Sequence, residues 1–209
     1  MADAFLTVYI EKAKGAYEQG LQVLQTDEGW TKIQEENDVV GFTRETEGSN
    51  INTFKCEFYI DKSPQVVSRY YFENIGSLNL EFQSEDVESF EVTKEINEDL
   101  HFFYYSLHPN GPVSGREFES LGMYIQLGEE SFCQVGCSID TGLAVKEGYS
   151  RGDLVFDLLI CEADSVDSNR THVRYVSMVD PKGDIPSEIV DAAMKNRTTF
   201  FEKFKAKVT

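Results

Sequence analysis

Six segments between residues 86 and 180 alternate apolar and polar side chains, and this run constrains the possible folds more than any other part of the chain. Alternation with a period of two is typical of antiparallel strands that bury one face. Turn residues at 97–99 and 128–130 separate successive segments and favour pairing between neighbours. The predicted strands are VESFEVTKEI, LHFFYYSL, EFESLGMYIQL, SFCQVGCSI, DLVFDLLIC and THVRYVSMV.

The first 80 residues contain segments with the periodicity of a helix and segments with the periodicity of a strand. Apolar residues at steps of three and four predict an amphipathic helix over 4–25. Strands are predicted at 30–36, 39–45 and 51–60, and Asn37-Asp38 marks the first turn between them. Ser63-Pro64 then provides a helix start, with the helix predicted to end at about Glu73.

The last element is a single long amphipathic helix that begins near Pro186 and runs to Val208 without a breaker. A sheet of about nine antiparallel strands with one such helix predicts an α+β fold in which the curved sheet wraps around the helix. Curling leaves interior volume near the helix ends, which side chains or a ligand would fill. Because no repeat or linker divides the sequence, we expect one domain over 1–209.

One charged residue lies in the middle of the apolar stripe of this helix. At about 100° per residue, Arg197 falls between Ala193 and Phe201. A guanidinium cannot remain unpaired in an apolar interior. Arg197 must therefore pair with a buried carboxylate, extend to the rim or meet a polar part of a ligand. Ala193 and the adjacent Ala192 leave room beneath the helix, which favours a cavity.

Charge and motif content exclude several classes of function. The net charge of −18 argues against nucleic acid as a partner. No motif for an activated nucleophile, a metal site or a phosphate-binding loop is present, so we expect no enzyme activity, no metal and no cofactor. The cysteines (Cys56, Cys133, Cys137 and Cys161) are too scattered for a disulfide framework. Without a secretory signal or an apolar span, the sequence predicts a reduced, cytoplasmic protein, which we expect to be a monomer.

Three segments together resemble the START (StAR-related lipid-transfer) domain family. NGPVSGREFESL at 110–121 is similar to the family's strand after its first omega loop, and 148–153 resembles its second loop. DPKGDIPSEIVDAAMKN at 180–196 resembles the entry into its last helix. The resemblance runs from Phe5 to Val208. It implies a helix-grip fold with a hydrophobic tunnel that shields one lipid, reached through the omega loop and under the C-terminal helix.

The resemblance also implies ligand residues. Sterol-binding relatives have a buried acid–base pair, but the basic position is Gly122 here. Phosphatidylcholine-binding relatives use aromatic residues, which Tyr71, Tyr105 and Phe118 match, and an arginine and acid that are Ser77 and Glu81 here. We therefore expect the ligand to be a phospholipid, with Arg197 supplying the positive charge that the family's arginine would provide. The expected ligand-binding residues are Tyr71, Tyr105, Phe118, Ala193, Met194, Arg197, Phe200 and Phe201, with Phe204 also positioned to touch acyl chains.

Two uneven charge clusters suggest contacts outside the tunnel. Residues 195–209 carry five basic side chains against Glu202, and Lys203, Lys205 and Lys207 are placed to meet anionic membrane headgroups transiently. Residues 81–99 carry eight acids against Lys94. Beside the lipid carrier or sensor, two other functions stay open: an aromatase/cyclase-type enzyme in the same cavity, and a ligand-gated adaptor that binds a protein through the acidic region.

Overall fold

The computed structural model describes residues 2–46, 51–183 and 185–209. Asp184, within the segment used for the resemblance, lies outside the described residues. Within these described residues, three helices and ten strands follow one another. In chain order they are α1 (Ala2–Leu24), β1 (Thr31–Glu36), β2 (Val39–Glu45), β3 (Asn52–Ile60), α2 (Pro64–Phe82), β4 (Val87–Asn97), β5 (Leu100–Leu107), β6 (Gly115–Gly128), β7 (Ser131–Ser138), β8 (Tyr149–Arg151), β9 (Asp153–Ala163), β10 (Thr171–Asp180) and α3 (Ser187–Val208).

The strands form one sheet in the order β1-β2-β3-β10-β9-β7-β6-β5-β4, with antiparallel pairing throughout this path. All nine strands predicted from alternation are present in this order of pairing. The tenth, β8, pairs in parallel with β6 and lies within the segment 148–153 that resembles the family's second loop. Asn37 and Asp38 both have positive φ, which the tight β1–β2 turn requires.

The helices cover opposite faces of the sheet. On the concave face, α2 and α3 enclose an apolar core that includes Phe58, Tyr71 and Tyr175. On the convex face, α1 packs against β6, β7, β9 and β10. Gly20 allows close approach there, since a Cβ atom at this position would lie 2.7 Å from Leu158. The predicted fold, a curved antiparallel sheet around a long C-terminal helix, is confirmed.

The predicted end of α2 near Glu73 is wrong, because the helix continues to Phe82. Beyond Glu73, the side-chain amide groups of Asn74 and Asn79 each donate to the carbonyl oxygen four residues earlier and so remain compatible with the helix. Gly76 is retained because a Cβ atom there would lie 3.0 Å from the Phe90 ring of β4. Tertiary packing therefore extends the helix past a residue of low helix propensity.

Candidate functional site

The C-terminal half of α3 is fixed to the sheet by aromatic packing. Phe200, Phe201 and Phe204 are all fully buried. All three rings contact the ring of Tyr71 from α2, at centroid distances of 6.3, 6.1 and 5.3 Å. Phe201 also packs 5.6 Å from Phe58 of β3. Such clusters add edge-to-face and stacking energy to the burial of apolar surface.

A polar cluster lies directly beside these rings and centres on Arg197. The guanidinium donates to the Tyr175 hydroxyl from Nη2 at 2.9 Å and from Nε at 3.2 Å. It also donates to the Tyr71 hydroxyl at 3.3 Å and to Asn79 Oδ1 at 3.4 Å. Asp157 Oδ2 lies 3.8 Å from Nη2. Of the three outcomes open to Arg197, the structure shows pairing with an interior carboxylate.

Strand register explains why these groups meet. Asp157 lies in the middle of β9, on the same face as Leu159 and Cys161, which belong to the concave core. Tyr175 of the neighbouring strand β10 points to the same face, and its hydroxyl donates to Asp157 Oδ2. Arg197 approaches from α3 on the opposite side of the interior. The cluster is therefore assembled from three elements that are distant in sequence.

Burial and charge shift the pKa values of this cluster. Burial raises the pKa of Asp157, while the charge of Arg197 and the Tyr175 hydrogen bond act in the opposite direction and favour the carboxylate. Burial disfavours the charged form of Arg197, but Tyr175, Tyr71 and Asp157 outweigh it and raise its pKa. Asp157 and Arg197 thus form a pair whose charges compensate each other.

The pair is not fully enclosed by other side chains. The side chains of Asp157 and Arg197 each remain 18% exposed, although both lie between the sheet and α3. The first half of α3 above them buries little surface. No side chain in the described stretch 188–196 is buried, and Ile189, Val190 and Met194 are half-buried. The interior is therefore accessible under the first half of α3.

Several residues predicted to bind a ligand occupy different surroundings. Tyr105 and Phe118 stack on each other with centroids 4.6 Å apart and an angle of 11° between the rings. Tyr105 is half-buried, whereas Phe118 is buried. Tyr71 contacts the α3 phenylalanines instead and, like Phe200 and Phe201, has no exposed surface. Tyr71, Phe200 and Phe201 are therefore part of the apolar core.

Two neighbours on α3 point in opposite directions. Met194 packs against the concave core. Ala193 is exposed, so its predicted position in the lining is wrong. The helical wheel placed Ala193 beside Ile189, but this end of α3 buries a narrower stripe than the C-terminal half does.

The three lysines expected at a membrane are partly engaged within the protein. Lys207 pairs with Glu81, and Lys205 lies 3.9 Å from Asp38. Lys203 donates to the Phe82 carbonyl at 3.1 Å. The basic charge that the sequence concentrates near its end is therefore offset by acids from α2 and the β1–β2 turn.

Sequence reasoning did not identify Asp157, Tyr175 or Asn79. A signal for Asp157 existed, because it is the one carboxylate inside the apolar run LVFDLLIC. Its inward direction follows from the alternation with Leu159 and Cys161. The contact with Arg197 had no such signal, since it depends on how α3 crosses the sheet.

The described residues contain no cluster of His, Cys, Asp or Glu arranged to hold a metal ion. Within the same part of the chain, no helix has the length and apolar character needed to cross a membrane. All four cysteines are buried and carry free thiols.

A curved antiparallel sheet around a long C-terminal helix defines the helix-grip class. The START domain family model matches residues 11–208. The chain belongs to the START domain family.

Solved structures show the same fold at low sequence identity. Human StAR-related lipid transfer protein 5 is 20% identical, with a TM-score of 0.81 and 98% of each chain covered. Human STARD10 is 16% identical, with a TM-score of 0.71 over 91% of this chain and 77% of that one. A STAR-related lipid transfer protein fragment from Xanthomonas axonopodis is 18% identical, with a TM-score of 0.68 over 87% of this chain and 99% of that one. No curated protein matches the sequence significantly.

Proposed function

We propose that this protein binds one lipid in the space between the concave sheet and α3 and carries it between membranes. The observation that supports this most directly is the Asp157–Arg197 pair, which remains 18% exposed inside an otherwise aromatic and aliphatic interior. A few polar groups in an apolar enclosure are what a lipid site needs to orient a headgroup. Family membership and the structures of lipid transfer proteins support the same reading.

For the ligand class we propose a phospholipid. The Arg197 guanidinium lies inside this interior, where it donates to neutral hydroxyl and amide oxygens that a phosphate could replace, and guanidinium groups bind phosphate strongly. The Tyr105–Phe118 stack provides an aromatic face for the remainder of the headgroup. In this proposal Lys203, Lys205 and Lys207 touch an anionic membrane only transiently, because Glu81 and Asp38 already compensate two of them. The free thiols support a reducing cytoplasmic location.

The enzyme alternative gains one residue from the structure. Asp157 is an interior carboxyl whose pKa is raised by burial, as a general acid or base often requires. Its Oδ2 is already engaged by Tyr175 and Arg197, which fits a binding role better than proton transfer. Turnover of a bound small molecule would support the enzyme alternative.

The test compares two tryptophan substitutions on α3. Met194→Trp fills the space beneath the helix, whereas Ala193→Trp adds the same ring at the exposed neighbouring position. We expect native mass spectrometry after incubation with phosphatidylcholine vesicles to detect one bound lipid in wild type and Ala193→Trp, and much less in Met194→Trp. Equal loading of both variants, or no loading of wild type, would contradict the proposed interior site.

Arg197→Met tests the phospholipid assignment separately. If Arg197 meets the phosphate, the variant loses most of its phospholipid while a lipid without phosphate, such as diacylglycerol, is taken up unchanged. Equal retention of phospholipid by wild type and Arg197→Met would remove the phosphate role from this residue. Thermal unfolding of both proteins checks that the loss does not come from misfolding.

A further inference from the structure

Asp157 stands alone in a row of residues that crosses the concave face of the sheet. Its direct cross-strand neighbours are Gly136 of β7 and Ser177 of β10. On the following strand, β6, the residue paired with Gly136 is Gly122. These neighbours have no side chain or a short one, so the residues of its own row do not cover the carboxylate, and from the adjacent strands it meets the Tyr175 hydroxyl.

Only one oxygen of this carboxylate is engaged. Oδ2 accepts the Tyr175 hydroxyl and faces Arg197 at 3.8 Å. Among the residues that the structure describes, none donates a hydrogen bond to Oδ1. An accessible carboxylate oxygen without a donor is an acceptor available to a ligand.

The position of Asp157 affects every headgroup that could reach Arg197. A phosphate bound to the guanidinium would lie within a few ångströms of the carboxylate, where like charges repel strongly in a poorly solvated interior. The electric field of Asp157 also extends to Tyr105, where it adds to the effect of burial in raising the pKa of the phenol. A headgroup that carries a cation beside its phosphate compensates this repulsion, whereas a purely anionic one does not.

We infer that Asp157 is a specificity-determining residue that makes the interior site select a net-neutral headgroup, with its positive or hydrogen-donating part toward Oδ1, over an anionic headgroup. This inference rests on the proposed lipid-binding function. It assigns to Asp157 the rejection of anionic lipids and to Arg197 the attraction of the phosphate, so removal of either residue changes selectivity in a different direction.

The experiment uses the full chain and vesicles with equal amounts of phosphatidylcholine and phosphatidylmethanol. Both lipids carry a phosphate diester, but only phosphatidylcholine has a compensating cation. Bound lipid is extracted and measured for wild type, Asp157→Asn and Glu162→Gln. Glu162 is a matched control, since it is on the same strand with its carboxylate paired to Arg174 on the other face.

We expect wild type and Glu162→Gln to prefer phosphatidylcholine, and Asp157→Asn to raise the share of phosphatidylmethanol by about tenfold or more. Repulsion between the acidic protein and the vesicle surface is nearly the same for all three proteins, so it cancels in the comparison. An unchanged lipid ratio in Asp157→Asn overturns the role of Asp157 while leaving lipid binding intact. Absence of any bound lipid in all three proteins overturns the proposed function as well.

A second measurement does not depend on the folding of the variant. Lowering the pH protonates Asp157 in wild type, so uptake of phosphatidylmethanol should rise relative to phosphatidylcholine, whose phosphate likewise stays ionised. The groups that face Asp157 are Arg197 from α3, Tyr175 from β10, Tyr71 from α2 and Tyr105 from β5. The arginine and the phenols keep their protons in this range, so the change reports Asp157. A pH-independent ratio in wild type overturns the inference.

Discussion

Replacement of Gly41 by alanine tests whether α3 is seated against β2 as closely as the structure shows. A Cβ atom at Gly41 would lie 2.1 Å from Thr198 Oγ1 and 3.2 Å from both Thr198 Cβ and Cγ2. Rotating the threonine side chain moves Oγ1 and Cγ2 but not Cβ, so the helix itself must shift. Overpacking of this kind costs about 1–3 kcal/mol, and we expect Gly41→Ala to lower the free energy of unfolding by about 2 kcal/mol.

The assay is urea denaturation followed by the fluorescence of Trp30, the single tryptophan of the chain. Gly15→Ala is the control, because a Cβ atom at Gly15 meets nothing within 4 Å and alanine favours the helix. Thr198→Ala provides the compensating change, since it shortens the side chain that Gly41→Ala would strike.

We expect the double variant to recover at least about 1 kcal/mol relative to the sum of the two single variants, as residues in contact do in double-mutant cycles. Gly41→Ala with wild-type stability, or additive effects in the double variant, would refute the close seating of α3 on β2.

Three further predictions concern other parts of the fold. Phe204→Ala should cost about 3–5 kcal/mol in urea denaturation, because the ring is fully buried and a cavity would remain. Hydrogen bonds donated by Lys146, Tyr149 and Ser106 lower the pKa of the Glu88 carboxyl from 4.5 to about 2. This stabilisation is complete above pH 4.5 and lost as the pH falls toward about 2, so Glu88→Gln should cost about 1 kcal/mol at neutral pH and nothing in strong acid. Arg116→Met should speed hydrogen exchange at 110–115 and 181–183, because the Arg116 guanidinium donates to the Pro181, Lys182 and Ser114 carbonyls; unchanged exchange would contradict this.

The sequence was sufficient for most of the fold because its strands alternate apolar and polar residues between clear turn signals. Alternation located the nine predicted strands to within a few residues, although β1 has no buried side chain and β6 is buried on both faces over its first eight residues. The strand β8 was missed since Tyr149–Arg151 is too short for any periodicity and pairs with β6 through backbone groups. The length of α2 was underestimated because packing of Gly76 against Phe90, not local propensity, decides it.

The candidate site was less predictable, and Arg197 shows why. The sequence alone shows that Arg197 lies on the apolar face of α3, where its charge requires a polar partner. The identity of the partner depends on β9 and β10 lying side by side under α3, a relation between residues 157, 175 and 197 that no local pattern contains. The prediction that Ala193 lines the interior was wrong for a related reason. A helical wheel assumes the same burial along the whole helix, whereas the two halves of α3 are packed differently.

The order of strands has a consequence for synthesis of the chain. Among the strands that the structure describes, β10 alone joins the β1-β2-β3 group to the group from β9 to β4, as it pairs with β3 on one side and β9 on the other. Until residues 171–180 leave the ribosome, the growing chain therefore holds two incomplete half-sheets with open edges. Exposed edges invite pairing with other chains. A nascent chain that stalls after β9 should need chaperone protection that the finished protein does not.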